Sequence, residues 1–163
     1  MSLQYETHYK STAAVWILAS NGQVPTNAVI GGYDADGTTL YVGRFVTKQG
    51  QLAPGKVCTS HGCAYSSCAG VEQSSKTYQV LTHPNQTEQL KWVPTTGGNL
   101  PTGALRAGGG SGKDGLYIAR APFHGGVCCG KFEPGHGCAY LPWGGREHAV
   151  TSCEVLCVTS LDF

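Results

Sequence analysis

The chain has 163 residues, a formal net charge of +1 and 13% charged residues. No run of Lys or Arg gathers into the basic patch that a nucleic-acid partner requires, and no apolar run approaches the about 18 residues of a membrane helix. We therefore expect neither a nucleic-acid partner nor insertion into a membrane. The 24 glycines are roughly twice the average share, which favours short strands and tight turns.

The chain opens with a polar segment, residues 1–13, that we expect to be an arm or an added edge strand. Residues 15–18 predict a short strand, and Asn21-Gly22 predicts a two-residue hairpin turn after it. The apolar stretch around Trp16 has a counterpart around Trp92, so we interpret it as part of the fold and not as a signal peptide. A cytoplasmic location is the resulting expectation, with release by an unconventional route as the alternative.

The middle of the first half has the pattern of strands. Residues 40–46 alternate with a period of two, which predicts a strand covered on both faces. Gln49-Gly50 predicts the next turn, with Gly125-Gly126 as its counterpart, and residues 78–81 predict the closing strand. No helical apolar period persists along the chain, so the sequence predicts an all-β fold.

Most of this pattern occurs twice. The segment LYVGR at residues 40–44 returns as LYIAR at 116–120, and HGCAY at 61–65 returns unchanged at 136–140. We predict two tandem homologous modules of short antiparallel strands, packed with approximate two-fold symmetry. The predicted boundaries are an arm at 1–13, modules at 14–82 and 90–157, a linker at 83–89 and a tail at 158–163.

The eight cysteines are too sparse for a disulfide scaffold, and we expect most of them to be reduced and buried. Cys58, His61, Cys63 and Cys68 are close enough in sequence to suggest zinc, but the second module keeps only two of the four. The paired C-x2-C spacing of zinc sites is also missing. We therefore expect no metal and no cofactor.

Catalytic motifs are weak. The glycine-rich residues 108–114 lack the leading Gly and the final Ser or Thr of a phosphate loop. A glycosidase needs two carboxylates about 5–10 Å apart, and the matched acidic pair is Glu72 and Glu147. A Cys-His nucleophile at His61 and Cys63 is a weaker alternative than a repeated structural element. We expect a protein that is not an enzyme.

Taken together, these segments resemble the DM9 repeat family. The first copy is carried by Trp16, Val24-Pro25, Ala28-Val29, Gly31-Gly32, Leu40 to Arg44, Gly55-Lys56-Val57 and Val80-Leu81. The second is carried by Leu116 to Arg120, Gly130-Lys131, Gly144 to His148 and Glu154-Val155-Leu156. The first module departs from the family pattern at residues 68–72, which read CAGVE in place of a G-G-K-E segment.

The resemblance implies a carbohydrate-binding lectin that recognises mannose, mannose-rich glycans or microbial surface polysaccharide in invertebrate innate immunity. It implies that Asp34, with Asp36 as a near alternative, and Lys56 hold the sugar. It also implies a homodimer. At the equivalent positions the second module has Gly110 and Gly112, and Asp114 substitutes only if the loop changes register, so an equivalent second sugar site is in question.

The residues themselves support a sugar site, because a carboxylate accepts hydroxyl protons and an ammonium donates to ring oxygens. Lys131, Glu72 and Glu147 are further polar candidates for this site. The aromatic face of the sugar site is expected from Tyr33, Tyr65, Tyr140 or Trp143, although the repeated aromatic residues are expected mainly in the core.

A structural interpretation stands beside each of these assignments. An Asp in a D-x-D-G loop is often a turn former, and a repeated Gly-Lys is often a solvated turn. Glu72 and Glu147 are alternatively expected to bind backbone amides or an Arg of the other module, Arg44 or Arg120. An intracellular scaffold or stress-response protein with redox-active cysteines is the alternative function.

Overall fold

A computed structural model describes residues 14–84, 88–110 and 115–160. These residues form fourteen β-strands and two single 3-10 turns, and no helix among them is long and apolar enough to span a membrane. The strands are β1 (Val15–Ser20), β2 (Ile30–Tyr33), β3 (Thr39–Val46), β4 (Leu52–Cys58), β5 (Cys63–Cys68), β6 (Val71–Ser75), β7 (Thr77–Thr82), β8 (Glu88–Thr96), β9 (Arg106–Gly109), β10 (Gly115–Phe123), β11 (Gly126–Glu133), β12 (Cys138–Trp143), β13 (Arg146–Val150) and β14 (Ser152–Ser160). The 3-10 turns are Thr59–His61 and Pro134–His136.

The two halves of the chain repeat one pattern of antiparallel pairing. In the first half β1 pairs with β7, β7 with β3, β3 with β2 and β4, and β4 leads through β5 to β6. The second half repeats these pairings with β8, β14, β10, β9, β11, β12 and β13. The predicted all-β fold with two homologous modules and pseudo-two-fold symmetry is confirmed.

The modules are joined by strand pairs that the symmetry relates. β2 pairs with β11, where Tyr33 lies opposite Val127, and β4 pairs with β9, where Leu52 lies opposite Gly109. β6 and β13 meet at the pseudo-symmetry axis. These pairings make one continuous sheet, so each module supplies strands that complete the other.

The core has a shared centre and two flanking parts. The shared cluster is Val42, Leu81, Ala107, Ile118 and Leu156, which brings residues of both modules together. Val57, Tyr78 and Val80 belong to a cluster of the first module, and Phe132, Leu141 and Val155 to one of the second. Burial of this apolar surface is the main stabilising contribution to the fold.

Asn21-Gly22 forms a turn, with φ of 55° and 85°, but not the predicted hairpin. β1 pairs with the distant β7, and the Asn21 N–H donates to the Lys76 carbonyl at 2.9 Å. The prediction of a two-residue hairpin was wrong about the strand that pairs with β1. A turn motif specifies the local backbone conformation and does not specify which strand becomes the partner.

The turn before β11 is His124-Gly125, with φ of 47° and 80°, and not Gly125-Gly126. Gly126 is the first residue of β11, where a Cβ would lie 2.3 Å from the Tyr33 carbonyl oxygen. This glycine is therefore needed for the close approach of the two modules, and not for the turn.

Some predicted boundaries differ from the observed strands. β8 begins at Glu88, inside the predicted linker, and β14 continues to Ser160, beyond the predicted module end at 157. The predicted arm at 1–13, together with Gly112 and Asp114, lies outside the described residues.

Candidate functional site

The loop between β2 and β3 holds the two predicted aspartates. The Asp34 N–H donates to the Thr38 carbonyl, and the Gly37 N–H donates to the Asp34 carbonyl, each at 2.9 Å. Asp36 Oδ1 accepts the Thr38 N–H at 2.9 Å, and this bond lowers the pKa of the Asp36 carboxyl below its ordinary value. The expectation of a turn-forming aspartate is met at Asp36.

This loop forms one wall of a cavity of about 290 Å³. The second module forms the opposite wall, because the pairing of β2 with β11 places the β10–β11 turn beside the loop. The lining residues are Tyr33, Asp34, Ala35, Asp36, Phe123, His124, Val127, Cys128 and Trp143. We call this the aspartate cavity.

The second-module wall of the aspartate cavity is aromatic. The rings of His124 and Trp143 stack with centroids 3.8 Å apart and an angle of 7°, and Phe123 meets both rings edge-on. His148 Nε2 lies 2.9 Å from the Trp143 carbonyl oxygen. Tyr33 and Trp143 keep 50% and 37% of their surfaces exposed, so their rings are accessible.

Sequence reasoning selected Tyr33 and Trp143 for a sugar face but missed His124 and Phe123. The available signal was a difference between the modules. Phe123 and His124 stand where the first module has Thr47 and Lys48, and Trp143 stands where it has Cys68. A large, partly exposed ring that replaces a small residue in one copy indicates a specialised position, because packing of the core does not require an exposed ring.

Lys56 lies behind the Cys128 wall of the aspartate cavity and is 6% exposed. Its Nζ donates to Cys128 Sγ at 3.5 Å and lies 5.8 Å from the centre of the Tyr65 ring. Burial raises the pKa of the Cys128 thiol, the Lys56 charge opposes this rise, and the charges of Glu72 and Asp34 add to it. Lys56, Glu72 and Asp34 are thus all within electrostatic reach of one sulfur atom.

Lys131 and Glu147 lie elsewhere. Lys131 Nζ donates to Gln51 Oε1 at 2.7 Å and pairs with Glu147 at 3.2 Å and Glu133 at 3.5 Å. Its side chain is 3% exposed, so these acceptors surround the ammonium almost completely. The structure therefore divides the predicted site residues between two places, and Lys131 does not join Asp34.

Lys131 is beside a second cavity, of about 300 Å³, which we call the glutamine cavity. It is lined by Gln49, Gln51, Cys68, Gly110, Gly115, Leu116, Glu133, Pro134, Gly135 and His136. Two of its lining positions correspond by pseudo-symmetry to positions in the aspartate cavity: Gly110 stands in place of Asp34, and Cys68 in place of Trp143. Glu133 in its lining pairs with His136 at 3.1 Å.

Glu72 and Glu147 bind backbone amides of the opposite module, which is one of the two structural alternatives left open by the sequence. Glu72 Oε1 accepts the Gly145 N–H, and Glu147 Oε1 accepts the Gly70 N–H, each at 3.1 Å. Glu147 also pairs with Lys131.

The repeated arginines have other partners. Arg44 lies 4.0 Å from the centre of the Trp16 ring and bonds Gln79 at 2.7 Å. Arg120 lies 4.5 Å from the centre of the Trp92 ring and pairs with Glu154 at 2.8 Å. They do not contribute to either cavity.

The cysteines are free thiols, and all are buried except the half-buried Cys68. Across the described ranges 14–84, 88–110 and 115–160, no group of three or more His, Cys, Asp or Glu side chains is arranged to hold a metal ion. His61 lies in a 3-10 turn and its Nδ1 bonds the Tyr65 hydroxyl at 2.9 Å, so this ring is engaged with Tyr65.

The sequence profile of the DM9 repeat matches residues 2–74 and 46–150. The chain belongs to the DM9 repeat family. This DM9 protein is 33% identical over 136 residues to Natterin-4 of Thalassophryne nattereri, a match that covers 83% of the chain and 32% of that relative. The chain thus spans about a third of the length of the curated relative it matches.

A solved structure has the same fold as this DM9 protein. The crystal structure of the nematode sperm cell motility protein MFP2B matches it with a TM-score of 0.72 at 18% sequence identity. The match covers 93% of this chain and 48% of that one. At this identity the similarity establishes a shared fold alone.

Proposed function

We propose that this DM9 protein is a non-catalytic lectin that binds mannose or mannose-containing glycans in the aspartate cavity. The observation that carries the proposal is the composition of this cavity. Asp34 and Asp36 form one wall, and the stacked rings of His124 and Trp143 form the other.

A pyranose has a hydroxyl edge and a C–H face, and the two walls complement both. An Asp34 carboxylate accepts two hydroxyl protons in short charge-assisted bonds. The exposed rings of Tyr33 and Trp143 offer apolar surface to the C–H face. A volume of about 290 Å³ is at the lower end for ligand cavities, which suits one sugar unit of a longer glycan.

Lys56 has the second role in this proposal. Its ammonium lies against the Cys128 wall of the aspartate cavity and donates to a sugar hydroxyl or ring oxygen there. Lys131 is not assigned a sugar contact, because Gln51, Glu133 and Glu147 already surround it. Gly110 in place of Asp34 predicts that the glutamine cavity does not hold mannose in the same way.

The proposed biological ligand is microbial surface polysaccharide, recognised as part of innate immunity. A single monosaccharide site binds weakly, and a homodimer that presents two sites raises the avidity for a repetitive surface. Analytical ultracentrifugation tests the dimer: sedimentation as a monomer throughout the micromolar range excludes it.

Titration calorimetry with mannose, glucose and galactose tests the function. We expect heat with mannose at one site per chain and its loss in Asp34→Asn and in Lys56→Met, with unchanged unfolding temperatures. Gln49→Ala in the glutamine cavity is the matched control and should bind mannose as the wild type does. Absence of heat with every sugar at millimolar concentration, or binding that survives both variants, rejects the proposed site.

A further inference from the structure

The aspartate cavity has an excess of negative charge. Asp34 and Asp36 line it, and its described lining residues include no Lys or Arg. The Thr38 N–H holds the pKa of the Asp36 carboxyl below its ordinary value, so Asp36 is ionised at neutral pH. Two carboxylates therefore line the cavity, against the single ammonium of Lys56 beyond Cys128.

Lys56 does not cancel this charge. Its ammonium is buried behind Cys128, whereas both aspartates lie in the lining itself. The Glu72 charge raises the pKa of the Cys128 thiol, whereas the Lys56 charge lowers it. One ammonium stands against the two carboxylates of Asp34 and Asp36, so a net negative charge remains at the cavity.

The aromatic wall also favours a cation. A Trp face is the best aromatic partner for a cation, which binds within about 6 Å of the ring centre. His124 covers one face of Trp143 at 3.8 Å, and the 37% exposure of Trp143 leaves part of the indole open to a ligand. Carboxylates opposite an exposed indole are the combination that recognises an organic ammonium group.

The glutamine cavity provides an internal comparison, because two of its described lining positions correspond by pseudo-symmetry to Asp34 and Trp143. Gly110 and Cys68 stand there in place of Asp34 and Trp143. Among its described lining residues the acidic one is Glu133, which is already paired with Lys131 and His136. Among the described lining residues, a pair of aspartates opposite an exposed indole occurs in the aspartate cavity and not in the glutamine cavity.

We propose that the aspartate cavity prefers an amino sugar, a 2-amino-2-deoxyhexose such as glucosamine, over the neutral hexose of the same shape. The ammonium lies between the Asp36 carboxylate and the Trp143 ring, and Asp34 takes the sugar hydroxyls. This preference rests on the proposed lectin function, since it assigns the class of sugar that the same cavity selects.

Three ligands that differ only at carbon 2 test the preference: glucosamine, glucose and N-acetylglucosamine. The amine of glucosamine lies beside electron-withdrawing oxygen substituents and therefore resembles an α-amino group, whose pKa is about 7.7–8.0. Glucosamine is thus mainly cationic at about pH 7. We expect roughly tenfold tighter binding of glucosamine than of glucose in titration calorimetry, the effect of one charge-assisted bond with a cation–π contact. N-acetylation removes the charge and should remove the advantage.

Asp36→Asn is the decisive variant, because the amide oxygen can still accept the Thr38 N–H and keep the loop folded. The ratio of glucosamine to glucose affinity should fall to about one. Gln49→Ala, in the glutamine cavity, should leave the ratio unchanged. Mannose binding with no preference for glucosamine, or a preference that survives Asp36→Asn, overturns this inference and leaves the lectin function standing. Failure of all sugars to bind rejects the lectin function itself, and the amino-sugar preference with it.

Discussion

The Glu72 carboxylate accepts a hydrogen bond at 3.1 Å from the backbone N–H of Gly145, in the β12–β13 turn of the other module. The bond is exposed, so water replaces the lost acceptor, and Glu72→Ala should lower the free energy of unfolding by about 0.5–1.5 kcal/mol. Urea denaturation measures the change. Glu72→Gln retains an acceptor oxygen and should lose less; equal losses in the two variants would show that the bond is unimportant.

Gly55 lies in β4 where a side chain has no room. A Cβ there would lie 1.9 Å from the Tyr65 carbonyl oxygen, and a backbone atom cannot rotate away as a side chain can. Gly55→Ala should therefore destabilise the fold by about 1–3 kcal/mol or more, as overpacking does. Gly110→Ala is the control, because no atom of the described residues lies within 4 Å of its added Cβ. Thermal unfolding compares the two, and similar melting temperatures would contradict the packing argument.

Tyr140 should make the free energy of unfolding depend on pH in the alkaline range. Burial raises the pKa of its phenol to about 12, from an ordinary value of about 10, because the charged phenolate is poorly solvated in the fold. The raised pKa gives a stabilising contribution that is complete below about pH 10 and is lost as the pH rises to about 12.

We expect Tyr140→Phe to show a smaller loss of stability than the wild type between these pH values, measured by chemical denaturation. Tyr33→Phe, which changes an exposed ring, serves as the control. Identical pH profiles for wild type and Tyr140→Phe would contradict the assignment.

Cys68 should be the first thiol to react in the native protein, because it alone among the cysteines is half-buried and the others are buried. Burial also raises the pKa of Cys153 to about 11 and disfavours its reactive thiolate. Iodoacetamide labelling followed by peptide mass analysis should show one fast site that disappears in Cys68→Ser. Rapid labelling of several cysteines, with a change in oligomeric state, would instead favour a redox-responsive scaffold.

Local features of the fold were accessible from sequence, and long-range pairings were not. The alternation in residues 40–46 predicted β3, and the repeated segments predicted two modules with pseudo-symmetry. The contact of Tyr33 with Val127 joins residues far apart in the chain, and no local propensity encodes it. For the same reason Gly126 was interpreted as a turn residue, although the approach of the other module is what requires it.

The candidate site was predicted in composition more than in arrangement. The aspartates of the β2–β3 loop and Trp143 were selected, and they line one cavity. Lys131 was grouped with them because it repeats Lys56, but pseudo-symmetry places the two lysines beside different cavities. His124 was overlooked because its role depends on a stack with Trp143 that forms only when two turns of the second module meet.

The exchange of strand pairs between the modules has an evolutionary consequence. In a lone module, the edges of β2 and β4 that now pair with the other half would have unpaired backbone N–H and C=O groups. Two identical copies related by a true two-fold axis would pair these groups with each other. The tandem chain is in this sense a homodimer fused into one polypeptide. A true homodimer must keep both of its clefts alike, whereas fusion lets each cleft mutate alone. The two modules differ at equivalent positions, with Asp34 in one and Gly110 in the other, and with Trp143 in one and Cys68 in the other. Identical subunits of a homodimer cannot differ in this way.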